Sequence, residues 1–363
     1  MPCNPLPTKL INYIPLKRCD MNYPIAIALL LYSILIGYCQ NNPFFGDMIQ
    51  LASKQAHFFY DHHFKTILLP IEIDSGHPPF MGIYLAAIWQ FARNLVVSHW
   101  AIFPFVYLIV VQAWRWVNYF FPKYTSIYVF ALLLSIPTLV AQISLVSPDV
   151  ILLSFFLLAL NSILYQQNKL KIIALLGLAI ISTRGLMTSI GLCLAEWILL
   201  YSQLHKQYPH KPTIKITNYV QLILPYLPAW ILAISFLVYH YYHTGWIGYH
   251  ANSPWHPCFE RSSLSDMLKN SLIFLWRLLD FGMVSVWIAA AYSLLRYYKS
   301  ISTLPKPFRQ LLCLSFALLL ITLPTFLGYK NLNAHRYLLP IYWLTISIAA
   351  YIIHLTAMPY KRT

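Results

Sequence analysis

Apolar residues in this chain fall in blocks of about 17–25, the length an α-helix needs to cross a bilayer, and no other feature narrows the choice of fold as far. A soluble domain has no need of such blocks. Of 363 residues, 59% are apolar and only 10% charged, so the blocks dominate the chain rather than interrupt it. The expected fold is all-α and polytopic, with about ten transmembrane helices over 22–39, 98–120, 126–146, 149–165, 170–183, 185–203, 218–239, 271–295, 310–328 and 337–357. The 149–165 and 170–183 blocks are short, which suggests tilt, local thinning of the bilayer or partial re-entry.

Charge orders these spans. The chain has 25 Lys and Arg against 10 Asp and Glu. A nucleic-acid partner would need those bases gathered on one exposed patch, but they sit in short loops between apolar blocks, as positive charge held on the cytoplasmic side of a membrane does. With a cytoplasmic N-terminus, the inner loops hold Lys123, Lys169, Lys171, Lys206, Lys211, Lys215, Arg296, Lys299, Lys306 and Arg309, and the tail holds Lys361 and Arg362. The acids Asp47, Asp61, Glu72, Asp74, Asp149, Glu260 and Asp266 then fall outside, which puts a catalytic face there. The first apolar run, Tyr23 to Tyr38, follows Lys9, Lys17 and Arg18 as a signal peptide would, but it lacks a small-residue cleavage site and reads as a membrane helix. Residues 78–97 are apolar enough to cross, yet a crossing there would invert every later loop, so they read as an amphipathic helix on the outer interface. Residues 1–363 are expected to form one membrane domain with no separate soluble domain. The six cysteines show no CxxC spacing, and only Cys39 and Cys258 are placed to meet outside.

Between the first two spans, residues 41–77 hold four carboxylates, four histidines and two lysines against a membrane surface. From Asp47 to Tyr60 the apolar spacing fits a short amphipathic helix that starts at Gly46-Asp47. Asp47 then either caps that helix or, ionised at a membrane boundary, takes a proton from an acceptor hydroxyl or amine; the two roles are compatible. His77-Pro78-Pro79 turns the chain into the interfacial helix, with His77 facing the external cavity as a substrate-binding candidate.

These residues resemble a family. Asp47, an Ala five residues on, Pro70 and Gly76-His77-Pro78-Pro79-Phe80 are similar to the first loop of GT-C membrane glycosyltransferases, nearest in pattern to protein O-mannosyltransferases and the aminoarabinose transferases of lipid A. Ser147-Pro148-Asp149, Gly177-Leu178-Ala179, Thr183-Arg184-Gly185 and Arg336-Tyr337-Leu338-Leu339-Pro340 follow in order along the rest of the chain. The resemblance implies inverting transfer of one sugar from a polyprenyl-phosphate donor to an acceptor outside the cytoplasm, with Asp47 as catalytic base. Many relatives have Asp-Glu where this chain has Asp47-Met48, and many carry a soluble C-terminal domain, so acceptor recognition here would rest on membrane loops or a partner.

Other candidates carry two readings each. Asp149 is either a second catalytic acid shaping the acceptor site or a helix cap. Arg184 has no acid nearby in sequence, and an unpaired Arg at membrane depth is costly enough to suggest function; its alternative is snorkelling to the headgroups. Lys330, His335 and Arg336 share the last external loop and, with Arg184, are the candidates for a donor phosphate; anionic headgroups are their alternative. Arg277 and Asp280, at i and i+3, should pair structurally. In the 240–266 loop, Trp246 and Trp255 are placed to stack on a sugar or to anchor the interface. The histidines of that loop, and Glu72 with Asp74, allow a divalent metal, but no tight ligand motif assigns one. The expected partners are the lipid-linked donor, an acceptor of unidentified class (protein, lipid or glycan) and the bilayer; the compact form suits a bacterial cytoplasmic membrane. The competing function is a transporter or flippase of a lipid-linked sugar, which would show paired half-repeats and broken helices.

Overall fold

The computed structural model describes residues 22–207, 216–248, 250, 252, 256–280, 283–297, 304–330 and 334–357. Among them the regular structure is helical: α1 (Asn22–Cys39), α2 (Gln55–Asp61), α3 (Phe80–Ile88), α4 (Leu95–Trp100), α5 (Phe103–Phe120), α6 (Lys123–Leu134), α7 (Pro137–Ser144), α8 (Pro148–Leu164), α9 (Asn168–Ile181), α10 (Thr183–Gln207), α11 (Ile216–Ile223), α12 (Leu227–Thr244), α13 (Leu264–Leu279), α14 (Met283–Tyr297), α15 (Lys306–Gly328) and α16 (Leu339–Ala357).

The helices are those of an integral membrane protein, but the apolar blocks do not all become straight spans. Among the described residues, four segments are long and apolar enough to cross alone: Leu95–Phe120, Thr183–Ser202, Lys306–Gly328 and His335–Thr356. Counting each of two bent pairs as one span gives up to six, α6 with α7 at 52° and α13 with α14 at 85°. The 126–146 block bends because Pro137 cannot continue the backbone ladder of α6 and restrains the residue before it. The 271–295 block breaks where Asp280 adopts extended backbone after α13. The 218–239 block divides into α11 and α12 around Pro225. The expected helix over 78–97 is also shorter than its apolar run. Its nine-residue core, α3, is about 14 Å long, too short to cross a hydrocarbon layer of about 30 Å, and α4 then leads into α5.

Packing follows hydrophobicity. Every residue of α8 except Phe155 is buried, as expected of a helix that is apolar all round, and α16 is buried along most of its length. Around these two, α1 turns Tyr23, Ile27, Leu30, Leu31 and Ile34 outward, a surface suited to lipid. Polar pairs inside the bundle fix which helices meet. Trp116 of α5 donates to Ser347 of α16 at 3.0 Å, and Asn161 of α8 donates to Gln112 of α5 at 2.9 Å. Lys171, expected in a cytoplasmic loop, is instead 2% exposed and pairs with Glu196 of α10 at 2.9 Å, while Tyr226 donates to the same carboxylate at 2.7 Å. Burial of that amine is tolerable because it is paired and hydrogen-bonded.

Candidate functional site

Four chain segments separated by up to 289 residues bring charged side chains to one place. Gly46, at φ +57°, turns the extended segment 42–45 into a helix that starts at Asp47 and passes through a π-helical stretch, Ile49–Lys54, before α2. Such stretches are rare and recur at functional sites. Ser147 caps α8 by accepting from the Asp149 amide at 3.2 Å, which fixes Asp149 in the first turn. Arg184 is the second residue of α10, whose start lies hard against α9. A Cβ on Gly185 would collide with the Leu178 carbonyl, so glycine is required for this approach. Arg336 sits in a 3-10 turn, His335–Leu338, that leads into α16.

Arg336 joins the acids. Its Nη2 donates to Asp47 Oδ2 at 2.5 Å, and its Nε lies 3.8 Å from Asp149 Oδ2. Arg184 donates to the other Asp149 oxygen at 2.6 Å, so the arginine that has no acid nearby in sequence is paired in space. Tyr337 lies between the two guanidiniums. Arg184 stacks over its ring at 4.1 Å, Arg336 at 4.8 Å, and Arg336 also donates to its hydroxyl at 2.8 Å. Asp149 and the Arg336 side chain are 2% and 9% exposed, whereas those of Arg184 and Asp47 are 24% and 49% exposed, so the outer two are the members a ligand meets first. Formal charge in the quartet cancels. The N-termini of α8, α10 and the helix that Asp47 opens converge on it, and their dipoles leave a field that favours a further anion.

Behind the quartet lies a cavity whose lining starts with Asp149, Arg184 and Arg336 and continues with apolar side chains, among them Leu152, Met187, Phe274, Leu323 and Phe326. One end is charged and the rest is oily, which is the shape and chemistry of a site for an amphiphile with an anionic head. No family model, curated protein or solved structure matches this chain. The chemistry of the site therefore rests on its own residues.

The remaining expected site residues divide. His77 joins the quartet's edge, its Nδ1 hydrogen-bonded with Thr183 Oγ1 at 3.0 Å beside Arg184. His335, although next to Arg336 in sequence, turns the other way, toward Tyr342 Oη at 2.7 Å, Asp280 at 3.1 Å and Arg277. The expected Arg277–Asp280 pair is present at 3.5 Å within this second cluster. Lys330 pairs with Glu260 at 3.0 Å on the exposed surface, away from the quartet. Trp246 is partly buried and meets His240 ring to ring at 4.5 Å, edge to face, and Trp255 lies outside the described residues. Cys39 is a free thiol. Among the described residues no group of three His, Cys, Asp or Glu side chains is arranged to hold a metal ion. Two features escaped the sequence: Tyr337, quoted only as part of a motif, and the Asp74–His240 pair, whose members are 166 residues apart.

Burial, and after it the Arg184 guanidinium, push the His77 imidazole down to about 4 from its ordinary 6.5. The unfolded chain therefore takes up a proton at His77 near pH 6.5 that the folded chain refuses until about 4. Stability supplied by the neutral ring is whole above pH 6.5 and is lost as pH falls toward 4. His77→Gln is expected to flatten that part of the profile, read as unfolding midpoints at pH 7 and pH 5. An equally steep acid loss in both proteins would assign it to other groups.

Proposed function

We propose that this protein is a glycosyltransferase of the GT-C type, which moves a sugar from a polyprenyl-phosphate donor to an acceptor on the non-cytoplasmic face. The observation that carries this reading is the Asp47–Arg336–Asp149–Arg184 quartet at the charged end of an otherwise apolar cavity. The lipid tail takes the apolar wall. The phosphate meets Arg184 first and then draws on the more deeply set Arg336; the planar forks of both donate in pairs. As the phosphate draws on Arg336, Asp47 is released from its 2.5 Å contact and faces the acceptor. The acceptor hydroxyl or amine attacks the anomeric carbon, its proton passes to Asp47, and the bond to phosphate breaks with inversion. The two guanidiniums stabilise the charge on the leaving phosphate. In this reading the shorter and bent apolar helices complete about ten crossings, the termini are cytoplasmic, and the site faces outward from a bacterial inner membrane.

Broken helices favour the second reading, a lipid-linked-sugar transporter: α6–α7 and α13–α14 are sharply bent. Both readings share the phosphate site, and turnover separates them.

The phosphate site is tested by titrating a polyprenyl phosphate and counting retained lipid by native mass spectrometry. Arg336→Ala should weaken retention by about 10-fold or more, the value of a hydrogen bond to a charged group. Arg336→Lys should recover only part, because an ammonium cannot donate as a fork. Equal retention in all three proteins would remove the phosphate from this site.

A further inference from the structure

Beside the quartet is a second buried charged pair for which the reaction has no direct use. Asp74 and His240 have side chains 3% and 2% exposed, and His240 Nε2 donates to Asp74 Oδ2 at 2.8 Å. The other ring nitrogen donates to the Trp246 carbonyl at 3.1 Å, while the Thr244 hydroxyl, at the end of α12, donates to the His240 carbonyl at 2.8 Å. Both imidazole nitrogens thus face oxygen acceptors, an environment that calls for the doubly protonated ring. Asp74 in turn spends its other oxygen on the chain that follows, accepting from the Gly76 amide at 2.8 Å. Gly76 is at φ +68°, and a Cβ there would collide with the Gly248 carbonyl and the Trp246 ring, so the segment after α12 closes directly over this turn. The next residue is His77, bonded to Thr183 beside Arg184.

A continuous set of contacts therefore runs from α12 through Asp74 and Gly76 to His77 and the start of α10. A lone aspartate in a loop has many rotamers. One held at both oxygens by partners from different segments has one, and so has the turn it anchors. Placing an ion pair at such depth stabilises little net of desolvation, so a gain in geometry is the better account of it.

We propose that Asp74 and His240 are a positioning pair that sets the His77 ring against Thr183, the residue before Arg184 of the cavity wall, and so shapes the approach to that cavity. This rests on the reading of that cavity as a lipid-phosphate site. His77 would be the group that touches ligand, with Asp74 and His240 acting through it.

Two readouts test the pair. The first is the nitrogen NMR spectrum of histidine-labelled protein, with His77 assigned by its loss in His77→Asn. The second is retention of undecaprenyl phosphate. His240→Gln and Asp74→Asn should each move the His77 resonances toward those of Thr183→Val, and each should weaken retention by about 10-fold, one hydrogen bond's worth. Asp74→Asn keeps the size and one acceptor oxygen, so it reports even where His240→Gln does not fold. Unmoved His77 resonances in the folded variants overturn the positioning pair, whether or not the lipid binds. Moved resonances in a protein whose wild type retains no lipid support the pair and tell against the cavity as the phosphate site.

Discussion

Asp47→Asn is expected to leave the protein folded, with donor still bound, and to lower turnover by about 100-fold or more, the usual contribution of a positioned base. The substitution keeps the size of the side chain and an oxygen that still accepts from Arg336. Stability should change by no more than about 1 kcal/mol, because a pair with one member this exposed is screened by solvent; the Asp47 side chain is 49% exposed. The helix that Asp47 opens loses little, since the carboxylate is turned toward Arg336 rather than toward the amides of the first turn. Turnover and unfolding midpoint, measured on the same preparation, separate base from helix start. A variant that turns over normally while melting lower would make Asp47 a structural residue.

Asp149→Ala should behave in the opposite way and destabilise the fold severely. Asp149 is 2% exposed and receives both arginines, Arg184 at 2.6 Å and Arg336 at 3.8 Å. Removing it leaves the buried Arg336 and the partly exposed Arg184 without their shared partner, a change that costs about 3–5 kcal/mol when a buried pair is broken. The double variant Asp149→Leu with Arg184→Met should recover much of that loss, because an apolar pair needs no desolvation. Denaturation in graded SDS after reconstitution reads both. If Asp149→Ala unfolds with the wild type, the arginines find other partners and the quartet is not a unit. If it is stable yet inactive while Asp47→Asn turns over, the base is Asp149.

What was legible in the sequence was local. Apolar block length reports membrane helices because a helix that crosses lipid must satisfy its backbone within itself, and the i, i+3 spacing of Arg277 and Asp280 reports their pairing, although Asp280 has already left α13. The helix starting at Asp47 and the Ser147-Pro148-Asp149 start of α8 are likewise local signals. Partners chosen across the fold leave no such trace. Arg184 meets Asp149 35 residues away, Arg336 meets Asp47 at 289, and Asp74 meets His240 at 166. Adjacency misleads in the same way. His335 and Arg336 are neighbours in the chain, but successive residues of a tight turn point apart, and they serve different clusters. Block length also overstates straight helices, because hydropathy does not register the backbone break at Pro137 or the turn at Asp280.

In the proposed reaction this cavity cleaves a sugar from its lipid phosphate. The direct measurement is made on purified protein in liposomes that carry a radiolabelled polyprenyl-phosphate sugar, with host membrane extract supplied as the source of acceptor. Free polyprenyl phosphate and labelled acceptor should appear together with wild type and fall by about 100-fold with Asp47→Asn. Movement of the intact labelled lipid from one leaflet to the other, with no free polyprenyl phosphate formed, would rule out the proposed transfer and make the protein a carrier.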